Sequence, residues 1–123
     1  MMDMKLQEST ENYLETILML SRNGKQVRSI DVANELDFTR PSVSVAMKKL
    51  RENAMIEVDS DGFISLTKNG YEIAISMYER HMLLSNWLIS LGVDEKTALD
   101  DACRIEHVIS EESFLAIKNL AEA

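Results

Sequence analysis

The chain has few residues that cross-link or sharply bend a backbone: one cysteine, one proline and four glycines in 123 residues. A single cysteine forms no disulfide within the chain, which suits a reducing cytoplasm. No run approaches the roughly 18 consecutive apolar residues that a membrane span requires, so no membrane partner is expected. The opening MMDMKLQEST has no basic segment followed by an apolar one, which argues against a secretory signal. Internal repeats, low-complexity stretches and long linkers are missing. No His-Glu-x-x-His run and no nucleophile with an oxyanion arrangement occur, which disfavours a zinc hydrolase and leaves the chain reading as a non-enzyme.

What is present is an ordinary globular composition, 46% hydrophobic and 28% charged, in a length that holds one compact core and a helical extension. The net charge of −8 argues at first against nucleic acid. Its distribution says otherwise. Between Gly24 and Ala54, Lys25, Arg28, Arg40, Lys48, Lys49 and Arg51 outweigh Asp31, Glu35, Asp37 and Glu52, so one segment is basic in an acidic chain.

Ser9 or Thr10 is placed to cap a first helix with Tyr13, Leu14, Ile17, Leu18 and Leu20 as its apolar positions, stopped by Asn23-Gly24. Ser29 reads as the N-cap of a short helix through Glu35 or Leu36, and Asp37-Phe38-Thr39 as a turn. A third helix carries Pro41 in its first turn, where a missing N–H costs little. Its inner face is Val43, Met47 and Leu50; Ser42, Ser44, Lys48, Lys49 and Arg51 look outward. Strand-like runs at 54–58 and 63–66 flank the hairpin turn Asp59-Ser60-Asp61-Gly62. Two helices at a tight turn followed by a hairpin describe a winged helix-turn-helix. A small α+β domain with no ligand is the plainer alternative. Hydroxyls and amines on the outward face favour DNA, with Arg28, Thr39, Arg40, Ser42, Ser44, Lys48 and Lys49 as candidate contacts.

From Lys68 onward the chain reads as helical. Ala74, Met77, His81, Leu84, Leu88 and Leu91 form a narrow seam that needs a partner, in this chain or a second copy. Gly92 ends that helix, Asp94 caps the next, and Ser110 begins a last one with Phe114, Ile117 and Leu120 on one face. The fold class expected is mainly α: a winged helix-turn-helix over 1–70, then a helical domain over 71–123.

Cys103, Glu106 and His107 stand at spacings of three and four. On a helix these positions face the same side, bringing together a thiolate, a carboxylate and an imidazole, three common ligands of divalent transition metals. His81 is the only other histidine; alone on an apolar seam it would read as a packed core residue. Glu11, Asn12 and Glu15 line one flank of the first helix.

The run Asp101-Ala102-Cys103-Arg104-Ile105-Glu106-His107-Val108-Ile109-Ser110 resembles the signature of metal-dependent repressors of the diphtheria toxin repressor and manganese transport regulator family. Glu11-Asn12-Tyr13-Leu14-Glu15, Pro41-Ser42-Val43-Ser44 and Gly92-Val93-Asp94-Glu95 are similar to the same family. The likeness covers roughly residues 7 to 113, and the Cys-Arg-x-Glu-His run is its most specific part. In length the chain resembles the shorter manganese-responsive members, without the SH3-like C-terminal domain of the iron-sensing ones. The resemblance implies a cytoplasmic, dimeric repressor that binds double-stranded DNA at an inverted repeat and is activated by Fe2+ or Mn2+, with Co2+, Ni2+ or Zn2+ able to substitute. It implies Asn12, Glu15, His81, Cys103, Glu106 and His107 as metal ligands. Position 12 is Asn where relatives have aspartate or methionine. Of an ancillary site built from two histidines and a carboxylate in iron sensors, only His81 is kept, with Ser85 and Leu99 at the other positions. A two-metal arrangement of the manganese type stays open, with His81 and Glu106 bridging and Glu15 and His107 completing the second position. The main rival is a metal-independent winged-helix regulator.

Overall fold

A computed structural model of the chain describes residues 4–123, with side chains from residue 8 onward. Among the described residues, six α-helices and one hairpin follow in the order α1 (Met4–Leu20), α2 (Ser29–Leu36), α3 (Arg40–Glu52), β1 (Ile56–Val58), β2 (Ile64–Leu66), α4 (Lys68–Ser90), α5 (Glu95–Ile105) and α6 (Glu111–Ala121). The chain forms two compact units, divided inside α4 between Ile75 and Ser76.

In the first unit, α1 is already helical from Met4, the first described residue, so Ser9 and Thr10 lie inside the helix instead of capping it. A 3-10 turn over Arg22–Gly24 ends it, with Asn23 (φ 65°) and Gly24 (φ 74°) in the left-handed region that an Asn-Gly pair tolerates. The expected cap of α2 moves by one residue: Arg28 is the N-cap, and its backbone N–H donates to the Asp31 carboxylate at 2.8 Å. Asp37 closes α2 in the left-handed conformation. Thr39 caps α3, accepting from the Ser42 N–H, and Pro41 sits in the first turn as expected.

The β strands are shorter than the sequence runs, three residues each, antiparallel with Ile56 opposite Leu66 and Val58 opposite Ile64. The Asp59 carboxylate accepts from the N–H groups of Asp61 and Phe63, both at 2.9 Å, and fixes the turn. Leu14, Ile17, Val32, Val43, Met47, Leu50, Ile56, Ile64 and Ala74 make the core, which joins α1, α2, α3, the hairpin and the start of α4. Tyr13 packs edge-on to Phe38 with ring centroids 6.0 Å apart, and burial raises its phenol above the ordinary value.

In the second unit, Leu84, Ala102 and Phe114 are buried, with Leu83, Trp87, Ile105, Ile109 and Ile117 packed against them. α4 ends at Ser90, so Leu91 lies beyond the helix and is 64% exposed rather than on its seam; Gly92 turns the chain with φ 98°. Asp94 caps α5 through the Lys96 N–H and Ser110 caps α6 through the Ser113 N–H. Phe114 and Ile117 pack inward, but Leu120 is 67% exposed. Among the described residues no helix is long and apolar enough to cross a membrane.

Candidate functional site

The second unit holds a polar cluster in an otherwise apolar packing. α5 ends at Ile105, so Glu106 and His107 occupy the turn after the helix, not the same helix as Cys103. The N–H groups of Val108 and Ile109 both turn back to the Ile105 carbonyl, so the helical ladder stops there, ahead of the Ser110 cap. Glu106 keeps helical dihedrals (φ −57°, ψ −29°), and its N–H still reaches Ala102.

The Glu106 side chain is fully buried, and its two oxygens meet two imidazoles. His81 Nδ1, from α4, lies 3.0 Å from Oε2, and His107 Nε2 lies 3.2 Å from Oε1. Burying an ionised carboxylate is costly unless positive charge compensates it. The imidazoles supply that charge only when protonated; a divalent cation supplies it while they stay neutral ligands. A carboxylate and two imidazoles are donors that first-row divalent metals accept. The residues therefore fit such an ion.

Of the other expected ligands, Cys103 is exposed on α5. Glu15 is buried on α1 and Asn12 half-buried one turn before it, where the Asn12 carbonyl accepts from the Thr16 hydroxyl at 2.8 Å. The Ser85 hydroxyl donates to the His81 carbonyl at 2.7 Å, within its own helix, and Leu99, whose side chain has no donor atom for a metal, is exposed.

In the first unit the outward face of α3 is as the spacing predicts: Ser42, Ser44, Lys48, Lys49 and Arg51 are exposed, and Val43, Met47 and Leu50 buried. Arg40 and Thr39 are also exposed, but the Thr39 hydroxyl is committed to the cap, donating to Ser42 Oγ at 2.8 Å. Arg28 lies over the Phe63 ring, 4.3 Å from its centroid, which directs it to the hairpin. Ser44, Lys48 and Arg51 line a shallow cleft with Ser29 and Val58. Sequence reasoning passed over two residues. Val45 is an apolar side chain 56% exposed on the same face as the serines and lysines. Arg80 reaches from α4 to the turn that carries Glu106 and His107. The position of Val45 between two outward serines and lysines was a readable signal; nothing in the sequence marked Arg80.

A winged helix-turn-helix joined to a helical unit with a buried imidazole–carboxylate cluster defines a class: a DNA-binding module coupled to a metal-binding one. Comparison with known proteins agrees. The iron dependent repressor N-terminal DNA binding domain matches residues 5–62, and the iron dependent repressor metal binding and dimerisation domain matches residues 67–123. The chain belongs to the iron-dependent repressor family. It is 31% identical over 119 residues to an uncharacterized HTH-type transcriptional regulator of Methanocaldococcus jannaschii, covering 95% of both chains. It is 33% identical over 111 residues to the transcriptional regulator MntR of Escherichia coli, covering 90% of this chain and 72% of that one. The fold is similar to the manganese regulator SloR, with a TM-score of 0.82 and 25% identity over 92% of this chain. The chain spans about half of SloR, 53% of its length.

Proposed function

We propose that this protein is a cytoplasmic transcriptional repressor of metal-homeostasis genes that binds an inverted-repeat operator as a homodimer when Fe2+ or Mn2+ is bound. The observation that carries this reading is the Glu106 carboxylate, fully buried between His81 and His107, in a chain whose other unit exposes the basic, hydroxyl-rich face of α3. In this reading residues 1–70 read DNA and residues 71–123 bind the metal and dimerise.

His81, Glu106 and His107 would hold the ion, and Cys103, Glu15 and Asn12 are the further ligands the family resemblance implies. The bound ion supplies positive charge that lets the carboxylates stay ionised in a buried site. The residues do the rest. Glu106 Oε2 stands at hydrogen-bonding distance from His81 Nδ1, and Oε1 is in close contact with His107 Nε2; if His81 Nδ1 carries the proton, Nε2 keeps its lone pair for a ligand bond. Glu15 and Asn12 belong to α1, whose Leu14 and Ile17 are core residues of the winged unit. At the DNA, Lys48, Lys49, Arg40 and Arg28 supply phosphate contacts, Ser42 and Ser44 hydrogen-bonding hydroxyls, and Val45 an apolar contact.

The test is a duplex enriched from a random-sequence library in Mn2+, then titrated with protein across Mn2+, Fe2+, Co2+ and Zn2+ and in chelator. Binding that requires a metal, and that Glu106→Gln removes, is expected. Equal binding in chelator would instead establish the metal-independent regulator.

A further inference from the structure

The turn that carries two of the candidate ligands is held from outside by one side chain. Arg80 Nη1 donates to the carbonyl of Glu106 at 3.2 Å and to that of Ile109 at 2.9 Å. Its guanidinium also stacks over the Phe114 ring of α6, 5.3 Å from the centroid. The two carbonyls lie past the end of α5, where no further helical turn supplies donors for them. The next residue on α4, His81, holds the Glu106 side chain at 3.0 Å. Adjacent residues of one helix therefore grip the same glutamate twice, Arg80 by the backbone and His81 by the carboxylate.

We infer that Arg80 is a positioning residue for the metal centre: by bridging the Glu106 and Ile109 carbonyls it fixes the turn that aims Glu106 and His107. This rests on the metal-binding reading above. The chemistry favours arginine. Both hydrogen bonds come from Nη1, at the edge of a planar guanidinium whose face stacks on Phe114; a lysine ammonium can donate to carbonyls but has no planar face to stack. A ligand displaced by a fraction of an ångström loses affinity without losing its identity, and groups that orient metal ligands are worth about 10–100-fold in affinity when removed.

The test uses the full chain and Mn2+ alone, with the dissociation constant read from the electron paramagnetic resonance signal of free Mn2+, and the absorption bands of bound Co2+ as a readout of ligand geometry. Unfolding of the metal-free chain is followed in parallel. Arg80→Met, which keeps much of the apolar stem, is expected to weaken Mn2+ binding by about 10-fold or more and to shift the Co2+ bands. Arg80→Lys, which keeps the charge, is expected to restore only part of the affinity. Leu84→Val serves as a control that loosens the same core while leaving both Arg80 hydrogen bonds in place, and is expected to leave the Mn2+ constant within about twofold. The inference is overturned if Arg80→Met binds Mn2+ like the parent with unchanged Co2+ bands, or if Leu84→Val weakens Mn2+ as much. A parent chain that binds no Mn2+ at all would instead overturn the metal-binding reading itself, and the inference with it.

Discussion

A β-carbon on Gly70 would run into the carbonyl oxygen of Met55, which already accepts a hydrogen bond from the Thr67 N–H at 3.1 Å. Gly70 stands in the first turn of α4, where alanine would otherwise gain about 1 kcal/mol of helix propensity. The clash is with backbone, so it is relieved only by moving the start of α4 or the segment before β1. Gly70→Ala should therefore cost about 1–3 kcal/mol, the range for overpacking, despite its better propensity. Urea unfolding at equilibrium measures this; a variant as stable as the parent would show that the contact yields cheaply.

Cys103 and Asn12 should set metal preference. Cys103→Glu replaces a soft sulfur with a hard oxygen, so Fe2+ and Co2+ should lose activating power relative to Mn2+. Asn12→Asp adds a charged oxygen and should tighten every divalent ion. DNA binding of both variants against Mn2+, Fe2+, Co2+ and Zn2+ decides this. An unchanged order of metals in Cys103→Glu would remove the exposed sulfur from the ligand set.

Lys48 and Lys49 project from the outward face of α3 and should contribute affinity with little sequence preference. Replacing either by alanine should reduce the slope of log affinity against log salt by up to about one. A slope equal to the parent's would take that lysine out of the phosphate interface.

Val45 should read a methyl group. The thymine methyl is the apolar feature of the major groove, and a good base contact is worth about 1–3 kcal/mol of discrimination. Replacing thymine by uracil at one position of the enriched duplex removes only that methyl. Binding should weaken at one such position for the parent and not for Val45→Ala. If no uracil position distinguishes the two proteins, the side chain makes no such contact.

Leu91 and Leu120 are the most exposed large apolar side chains of the second unit, at 64% and 67%. Burying each in a partner would contribute about 1.5–3 kcal/mol, enough that two charges there should break a dimer. Leu91→Glu with Leu120→Glu is expected to sediment as a monomer at micromolar concentration, where the parent is a dimer. A parent that is itself monomeric with and without metal overturns the dimeric reading.

Local chemistry was legible in the sequence. Pro41 with the inward trio Val43, Met47 and Leu50, the Asp59–Gly62 turn, and the caps at Asp94 and Ser110 follow from short-range sterics and hydrogen bonding, which neighbouring residues determine among themselves. The residue types of the metal cluster were legible too, because few side chains can serve as ligands. Where α5 ends was not, and neither was the exposure of Cys103 beside a fully buried Glu106. The pairing of His81 with Glu106 spans 25 residues, and Arg80 reaches its carbonyls across 26 and 29. Helical periodicity says which residues share a face. Only packing between helices decides which face closes over a charge, because burial depends on neighbours distant in sequence.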